Sequence, residues 1–454
     1  MTEAQKTRLR HLDQSRVWHP FTQMQDYAAE DPVIIGSADG SYLVDIDGNR
    51  YLDGFSSMWC NVHGHRVPGI DQAIRDQLDK VGHSTLLGLS NIPAIELAEK
   101  LVEISPDGLS RVFYSDNGAT AVEVALKMAF QYWQQRPDPR PDKSTYLHLT
   151  ESYHGDTLGS VSVGGISLFH QVYHPLLFKT LSAPVPHPHR CETCTGVCDQ
   201  SCFRPLEEQF EKNAHRLAAF IIEPLVQGAG GMLVHPSGYL RHAAALCEKH
   251  DVLLIVDEVA TGFGRTGTMF ACEQEDIRPD LLCLGKGLTG GYLPIAATLA
   301  TDEVYNAFLG TYSEQKTFFH GHTYTGNPLG CAAALATLEI FESENTLSKL
   351  AQKIEALRSG LTRFESLSNV GNIRQCGFIA AIELVLKKST REPYAWEARM
   401  GVNTCNKARE LGLLVRPIGN TIVLMPPLSV SNEELDQILE ITFNAIRHIT
   451  QKDS

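Results

Sequence analysis

The stretch LLIVDEVATGFGRTG (residues 253–267), followed by PDLLCLGKGLTGG (residues 279–291), decides the fold of this chain. Each stretch contains a short apolar run that ends near a polar residue: Asp257 closes the first run, and Lys286 follows the second, 29 positions later. This separation fits one crossover connection between parallel strands. Ligands bind at the carboxyl edge of such sheets, so the sequence predicts that Asp257 and Lys286 emerge together at a binding site.

Apolar strand-like runs alternate with helical patterns from about residue 90 to residue 335. RVFYSD precedes ATAVEVALKMAFQYW, and LAAFIIEP precedes SGYLRHAAALCEKH. Such alternation is typical of βαβ units around a mostly parallel sheet. Farther along the chain come the shorter runs GFIAAIEL, GLLVRP and TIVLMPP. A predicted helix follows them, and Ser431 and Glu434 have the spacing of a capping box at its start.

These patterns predict an α/β chain with two domains, since 454 residues are too many for one ordinary core. Residues 71–335 are expected to form a large cofactor-binding domain with a mostly parallel sheet. Residues 336–454 are expected to form a smaller α+β domain, and residues 1–70 an N-terminal arm that supplies part of it.

Composition narrows the class of function. A formal net charge of −14 argues against nucleic acid or an anionic membrane as the main partner, because both favour a basic surface. No apolar run approaches the ~18–20 residues that cross a bilayer. Eleven cysteines, an odd number, fit reduced thiols better than a disulfide framework. We therefore expect a cytoplasmic enzyme.

A lysine and an acid at one sheet edge are what pyridoxal phosphate requires. The lysine forms a Schiff base, and the carboxylate keeps the pyridine nitrogen protonated so that the ring accepts electrons. Lys286 lies between Gly285 and Gly287, which leave room for a bulky group. The alternative for each residue alone is structural: a surface lysine in a glycine-rich turn, and an aspartate that caps a helix.

Three further segments offer contacts for such a cofactor. In YSDNGATAVE, the backbone N–H groups of Asn117, Gly118 and Ala119 precede a helix, where phosphate binds well, although an ordinary helix cap looks the same. Tyr153 offers a face for stacking, or is a core tyrosine. Thr323, in the polar loop HGHTYTGNP (320–328), is a candidate second phosphate contact.

Two other motifs compete with this interpretation. Gly262, Gly264 and Gly267 match the dinucleotide pattern G-x-G-x-x-G, but they come several residues after the strand, and no acid follows at a strand tip about 20 residues on. The pairs at 63/65, 187/189 and 320/322 have H-x-H spacing for a metal. No third ligand supports them, so hydrogen-bonded histidines are favoured.

Four cysteines fall within CETCTGVCDQSC (191–202). Cys191, Cys194, Cys198 and Cys202 are close enough in sequence to surround one tetrahedral ion. They lie in a proline-rich segment that leads into a predicted helix, and Schiff-base chemistry at Lys286 needs no metal. We therefore predict no catalytic metal and favour free thiols in a surface loop, with a structural zinc or an iron–sulfur cluster as the alternatives.

Over residues 16–450 the chain resembles the class III, fold type I, pyridoxal-phosphate aminotransferases. Within that family it is most similar to the enzymes that aminate 8-amino-7-oxononanoate in biotin synthesis. The shared segments, in chain order, are VWHPFTQM, DGFSSMWCNVHGH, VFYSDNGATAVEVALKMAFQYW, YHGDTLGSVSVG, EPLVQGAGGM, LLIVDEVATGFGRTG, LGKGLTGGYLPIAAT, FFHGHTYTGNP and VRPIGNTIVLMPP.

The resemblance implies a role for each candidate residue. Lys286, Asp257 and Tyr153 are the catalytic positions, with Tyr153 stacked on the cofactor. Arg416 holds the keto-acid carboxylate with its planar fork, and Arg265 helps to shape the same pocket. The remaining implied contacts are Asn117, Gly118, Ala119, His322 and Thr323 for the cofactor, and Phe21, Met58, Trp59 and Gly321 for substrates. Thr323 would come from the other subunit of a homodimer.

Two positions depart from the commonest family pattern. Phe21 stands where many members have tyrosine, and Met58 precedes Trp59 where many have a tryptophan pair. Both lie where the amino donor is expected, so S-adenosylmethionine and lysine remain alternatives. Two alternative functions remain for the chain. One is a different class III transaminase that acts on an ω-amino acid or diamine, and the other is a metal-binding scaffold built on the cysteine cluster.

Overall fold

The computed structural model describes residues 1–186 and 198–451. A seven-stranded sheet forms its centre, in the order β4–β12–β11–β10–β7–β5–β6, and a short ribbon pairs β8 with β9. Only β12 runs antiparallel to its neighbours, so the predicted mostly parallel sheet is confirmed. The strands up to this point are β1 (Ile35–Asp39), β2 (Tyr42–Asp45), β3 (Arg50–Asp53), β4 (Leu109–Ser115), β5 (Thr145–Leu149), β6 (Leu181–Ala183), β7 (Leu217–Ile222), β8 (Val226–Gln227), β9 (Leu233–Val234), β10 (Leu253–Asp257), β11 (Leu281–Leu284) and β12 (Ala296–Thr301).

Two smaller sheets involve the ends of the chain. The later strands are β13 (Val370–Cys376), β14 (Ile379–Lys387), β15 (Glu392–Pro393), β16 (Leu413–Leu414), β17 (Arg416–Ile418) and β18 (Thr421–Leu424). An antiparallel sheet has the order β13–β14–β18–β17, with β15 beside β14. The other sheet joins β1, β2 and β3 to β16, which lies parallel to β3. The domain boundaries at 70/71 and 335/336 stay predictions.

Helices cover the sheets. They are α1 (Glu3–Arg16), α2 (Met24–Ala29), α3 (Ser56–Trp59), α4 (Pro68–Leu78), α5 (Ile92–Ile104), α6 (Gly118–Gln135), α7 (Leu158–Ser162), α8 (Ser167–His170), α9 (Arg204–Asn213), α10 (Tyr239–Lys249), α11 (Asp302–Asn306), α12 (Pro328–Ser343), α13 (Thr346–Leu361), α14 (Met400–Glu410) and α15 (Asn432–Thr450). The predicted capping box of α15 is confirmed, because Ser431 accepts a hydrogen bond from the N–H of Glu434 and returns one to its carboxylate. None of the helices in the described ranges combines the length and apolar character that crossing a bilayer requires.

Helix α6 is fixed on the central sheet by its apolar face. Val122, Ala125 and Trp133 are fully buried there with residues of β7, β10, β11 and β12. The indole N–H of Trp133 donates to the carbonyl of Ala218 at 2.8 Å, so its one polar atom is satisfied. Each large apolar side chain buried in this way contributes about 1.5–3 kcal/mol. The packing holds the N-terminus of α6 where β4 ends.

Candidate active site

Strands β10 and β11 bring Asp257 and Lys286 to one edge of the central sheet. The strands are parallel neighbours, with Asp257 opposite Cys283, and the N–H of Glu258 donates to the Cys283 carbonyl at 2.9 Å. Lys286 begins a short 3-10 turn two residues after β11 ends. Its φ of +42° is uncommon for a residue with a side chain. The predicted juxtaposition is present.

The amine of Lys286 lies beside an aromatic ring. Among the described residues, no hydrogen bond or ion pair reaches Nζ, which lies 4.6 Å from the centroid of the Trp59 ring. Burial lowers the pKa of Lys286, and the carboxylates of Asp257 and Glu223 oppose that shift. An amine that loses its proton more readily than a surface lysine is suited to act as nucleophile and base.

Asp257 is buried and paired with a histidine. Nδ1 of His154 lies 2.7 Å from Oδ2 of Asp257, and the N–H of Val259 donates to Oδ1 at 3.0 Å. Within the described residues, Nε2 of His154 is buried with no partner. His154 was not predicted from the sequence to have a role. Its only signal in the sequence is its position directly after Tyr153. His154 and Asp257 are 103 positions apart, so no spacing links them.

The N-terminus of α6 lies beside these strand ends. The side chain of Asn117 accepts from the N–H of Thr120 at 3.0 Å, and the N–H of Ala121 bonds to the Asn117 carbonyl. The cap leaves the N–H groups of Gly118 and Ala119 free of intrahelical partners. A side chain at Gly118 would collide with Val259, and the nearest atom to a Cβ at Gly285 would be the Gly118 nitrogen. The free backbone N–H groups can therefore approach a phosphate closely and donate hydrogen bonds to it.

Tyr153 is anchored at both its backbone and its hydroxyl. Its N–H donates to Oε1 of Glu223 at 3.0 Å, and its hydroxyl donates to Oδ2 of Asp156 at 2.6 Å. Glu223 also accepts from the N–H of Gly228, and burial, its main influence, raises the pKa of Glu223 to about 7. Neither Glu223 nor Asp156 received a role from the sequence, although both lie in quoted motifs.

Phe21 reaches Tyr153 through another aromatic ring. The Phe21 and Phe169 rings meet edge to face at 5.3 Å between centroids, and Phe169 meets Tyr153 at 6.4 Å. Phe21 remains more than half exposed. A chain of rings therefore joins the N-terminal arm to the predicted stacking residue.

Met58 and Trp59 lie in a left-handed turn. Ser56, Ser57, Met58 and Trp59 have φ values of 54°, 46°, 74° and 70°, and none of them is glycine. Left-handed backbone costs roughly 1–2 kcal/mol for each such residue. The turn buries Trp59, while Met58 keeps 41% of its surface exposed.

The two candidate arginines differ in their surroundings. The guanidinium of Arg265 is buried and donates to the carbonyls of Asn61 and Pro426 at 2.7 and 2.6 Å. Arg265 therefore ties two backbone segments together, and its charge also helps to lower the pKa of Lys286. Arg416 begins β17 and is exposed, and within the described residues its side chain has no hydrogen bond or ion pair.

The segment containing Gly321, His322 and Thr323 lies apart from these contacts. Gly321 and Thr323 are exposed, and the N–H of His322 donates to the Thr325 hydroxyl at 3.3 Å. In the described part of the chain, no hydrogen bond joins this segment to Lys286, Asp257 or Tyr153. Within one copy of the chain, the described contacts therefore give this segment no place in the cofactor site.

The cysteine cluster and the histidine pairs, which are the candidate metal motifs, lie only partly within the described residues. Sγ of Cys198 and Sγ of Cys202 are 3.5 Å apart, but Cys191, Cys194 and the 187/189 histidines lie outside the described residues. Nε2 of His63 bonds to the Thr337 carbonyl, and His65 lies between Asp53 and Asn61. Within residues 1–186 and 198–451, no group of three or more His, Cys, Asp or Glu side chains is arranged to hold a metal.

The glycine pattern at 262, 264 and 267 does not begin a helix. These residues lie in consecutive turns between β10 and a 3-10 helix at Ala271–Glu275. Gly264 and Gly267 have φ values of 87° and 107°. The dinucleotide alternative therefore lacks the long helix whose N-terminus would receive a pyrophosphate.

The site fits a phosphorylated aromatic aldehyde cofactor. Lys286 supplies an amine with no polar partner in the described ranges, Asp257 supplies a buried carboxylate, and the start of α6 offers backbone N–H groups for a phosphate. Comparisons with known proteins agree with this interpretation. The family model of class III aminotransferases matches residues 25–446.

Relatives and solved structures extend the match over nearly the whole chain. The adenosylmethionine-8-amino-7-oxononanoate aminotransferase of Geobacter sulfurreducens is 53% identical, over 97% of this chain and 98% of that protein. The crystal structure of the Methanocaldococcus jannaschii enzyme of the same name has a TM-score of 0.93 at 47% identity, covering 98% and 99% of the two chains. An omega transaminase from Pseudomonas jessenii, in complex with PMP, has a TM-score of 0.93 at 32% identity, covering 98% of each chain.

The predicted family and cofactor are therefore confirmed. A family match over most of the chain and this site chemistry lead to one conclusion: the chain belongs to the class III aminotransferases, which use pyridoxal 5′-phosphate.

Proposed function

We propose that this chain transfers an amino group to 8-amino-7-oxononanoate and so makes 7,8-diaminononanoate for biotin synthesis. The supporting observation is sequence identity rather than fold. Relatives named for this reaction are 53% and 47% identical over nearly their full lengths, whereas an omega transaminase with the same TM-score of 0.93 is 32% identical. Because the fold is common to both activities, the residues around the pocket must separate them.

The cofactor is proposed to sit between α6 and the ends of β10 and β11. The N–H groups of Gly118 and Ala119 would hold its phosphate, and Lys286 would attach to its aldehyde. The Asp257 carboxylate would accept a hydrogen bond from the protonated pyridine nitrogen and so keep that nitrogen protonated. When bound, pyridoxal phosphate carries the amino group and delocalises the electron pair left after proton loss. The His154 contact fixes the direction in which the Asp257 carboxylate points.

Lys286 is proposed to move the proton during transfer. Its lowered pKa makes Nζ a base once a substrate amine has displaced it, and the Trp59 ring limits where Nζ can move. Asp257 and Glu223 lie close enough to stabilise the protonated amine, so Nζ can take a proton and return it. The donor and the keto acid use the site in turn.

Arg416 is proposed to receive the carboxylate of the keto acid. Its exposed guanidinium has no partner among the described residues, which leaves its fork available for two parallel hydrogen bonds. Arg265 has already committed its two terminal nitrogens to backbone carbonyls. Arg416 is therefore the better candidate of the two.

Arg416→Lys is expected to raise KM for 8-amino-7-oxononanoate about 10–100-fold, because lysine cannot make the second bond of the fork. The half-reaction with an amine that has no carboxylate should change less than about threefold. Single-turnover measurements of the two half-reactions check this difference. Arg409→Lys, on α14, is the matched control. Equal losses in both half-reactions would mean that Arg416 supports the structure instead.

S-adenosylmethionine is proposed as the amino donor, since the relatives carry adenosylmethionine in their names. Lysine remains the alternative donor, because Phe21 and Met58 depart from the commonest family pattern where the donor is expected to bind. We expect purified protein with 8-amino-7-oxononanoate to form the diamine at least about tenfold faster with S-adenosylmethionine than with lysine at equal concentration, a difference of ~1.4 kcal/mol. Mass spectrometry of the product checks the activity and the donor together. Faster turnover with lysine would reverse the donor assignment, and no diamine with either donor would contradict the proposed reaction.

A second copy of the chain is proposed to complete the site. Leu87, Leu89, Ile92, Phe319 and Tyr324 each expose more than half of their surface. The segments that carry Leu87, Leu89, Ile92 and Tyr324 lie side by side, because the Tyr324 ring packs on His83 at 4.9 Å and the Asn91 side chain donates to the Gly326 carbonyl. An apolar face of this kind is typical of a subunit interface. It carries Thr323, which the proposal assigns to the phosphate of the neighbouring copy.

A further inference from the structure

The left-handed turn Ser56–Trp59 is held by one buried carboxylate. Oδ1 of Asp53 accepts from the N–H of Ser57 at 2.9 Å, and Oδ2 accepts from the Ser57 hydroxyl at 2.8 Å. Nε2 of His65 lies 3.0 Å from the same Oδ2. Asp53 is 1% exposed, so these three contacts are shielded from competing water.

Other contacts fix the two ends of the turn. The Ser56 hydroxyl donates to the Met425 carbonyl at 2.6 Å, and the N–H groups of Cys60 and Asn61 both donate to the Ser56 carbonyl at 3.0 Å. Inside the turn, the N–H of Trp59 bonds to the Phe55 carbonyl at 2.8 Å. The turn contains no glycine, so its backbone angles must be imposed by these surroundings.

The consequence of the turn is the placement of Trp59. Its ring lies 4.6 Å from Nζ of Lys286, and its far edge packs against Gly228, where an added Cβ would be 3.2 Å away. A right-handed backbone at Ser57 and Met58 would redirect the side chains that follow. The position of the ring beside the reactive amine therefore depends on the turn.

We propose that Asp53 is a positioning residue for amino transfer: it selects the left-handed turn and so holds Trp59 against Lys286. Within the described residues, the side chain of Asp53 bonds to Ser57 and His65, and no hydrogen bond or ion pair joins it to Lys286. The inference rests on Lys286 acting as the cofactor lysine and base.

Asp53→Asn tests this role in the holoenzyme. Asparagine can still accept from the Ser57 N–H, but its amide nitrogen cannot accept from the Ser57 hydroxyl or from His65. We expect kcat of both half-reactions to fall about 10–100-fold, while KM for the keto acid and the visible absorbance of bound cofactor stay close to wild type. Asp45→Asn is the matched control, since Asp45 is also buried in the N-terminal sheet and accepts from Asn49 and Tyr51.

Glycine at position 57 separates positioning from other roles. In Asp53→Asn/Ser57→Gly, glycine adopts the left-handed backbone without help from Asp53, so kcat should return to within about fivefold of wild type. A charge effect of Asp53 would not be rescued by this change. A double variant that is not rescued, whether it is inactive or unfolded, would overturn the proposal. So would an Asp53→Asn enzyme whose kcat is no lower than the kcat of Asp45→Asn. Wild-type turnover in the same assay keeps a failure here distinct from a failure of the proposed reaction.

Discussion

Lys286→Ala is expected to lower kcat/KM by about 10⁴-fold or more, roughly 5–6 kcal/mol of barrier, because covalent attachment and the base are lost together. The protein should still fold. Nζ has no hydrogen bond within the described residues, so its removal leaves no polar group of those residues unsatisfied. Single-turnover kinetics and thermal unfolding measure the two effects on one sample. Added small alkylamines should restore part of the proton transfer, since they supply a base to the vacated space.

Lys143 provides the matched control for this variant. It is also a buried lysine, with its pKa lowered to about 8 by burial, and its ring partner is Trp133 at 4.4 Å. Its amine, however, donates to the carbonyls of Ala214, Leu217 and Asp251. Lys143→Met should therefore reduce the free energy of unfolding by about 2–5 kcal/mol and leave kcat of the folded enzyme near wild type. A Lys286→Ala enzyme within tenfold of wild type would remove Lys286 from the chemistry.

The strand pair that carries Asp257 and Lys286 was predictable because its signal is local. Buried parallel strands appear as short apolar runs, and the chain direction fixes which end each polar residue follows. The cap of α6 was predictable for the same reason, since Asn117 bonds to Thr120 only three residues away. In both cases the information lies within one or two adjoining elements.

The contact between His154 and Asp257 was not predictable in this way. It joins the loop after β5 to the end of β10, and the order of strands between them is a property of the whole sheet. A lone histidine after a tyrosine carries no spacing that identifies its partner. The same reasoning applies to Arg265, whose partners Asn61 and Pro426 lie far from it along the chain.

The turn Ser56–Trp59 departs from what local preference predicts. Serine, methionine and tryptophan all disfavour positive φ, and no glycine marks the position. The surroundings impose the conformation through Asp53 and Met425, which the sequence does not identify as partners. Strain of this kind is found where function requires a particular side-chain position.

Asp257→Asn is expected to lower kcat about 10²–10³-fold, ~3–4 kcal/mol, while cofactor remains bound. The amide has nearly the shape of the carboxylate, and its oxygen can still accept from the N–H of Val259. Its nitrogen is a donor, so it cannot stabilise a proton on the pyridine ring. Phosphate binding at the start of α6 does not involve this group, which is why cofactor should be retained. Visible absorbance measures the bound cofactor, and single-turnover assays measure kcat.

Asp280→Asn distinguishes a charge effect at the site from a general effect on the sheet. Asp280 precedes β11, and its Oδ2 accepts from the N–H of Leu254 at 2.7 Å, so it joins β10 to β11 near the ends opposite Asp257. Losing its charge should change stability and leave kcat within about threefold. If both variants lowered kcat equally, sheet packing would explain the loss. If Asp257→Asn left kcat unchanged, the buried carboxylate would serve only to orient His154, and the proton on the ring nitrogen would need another source.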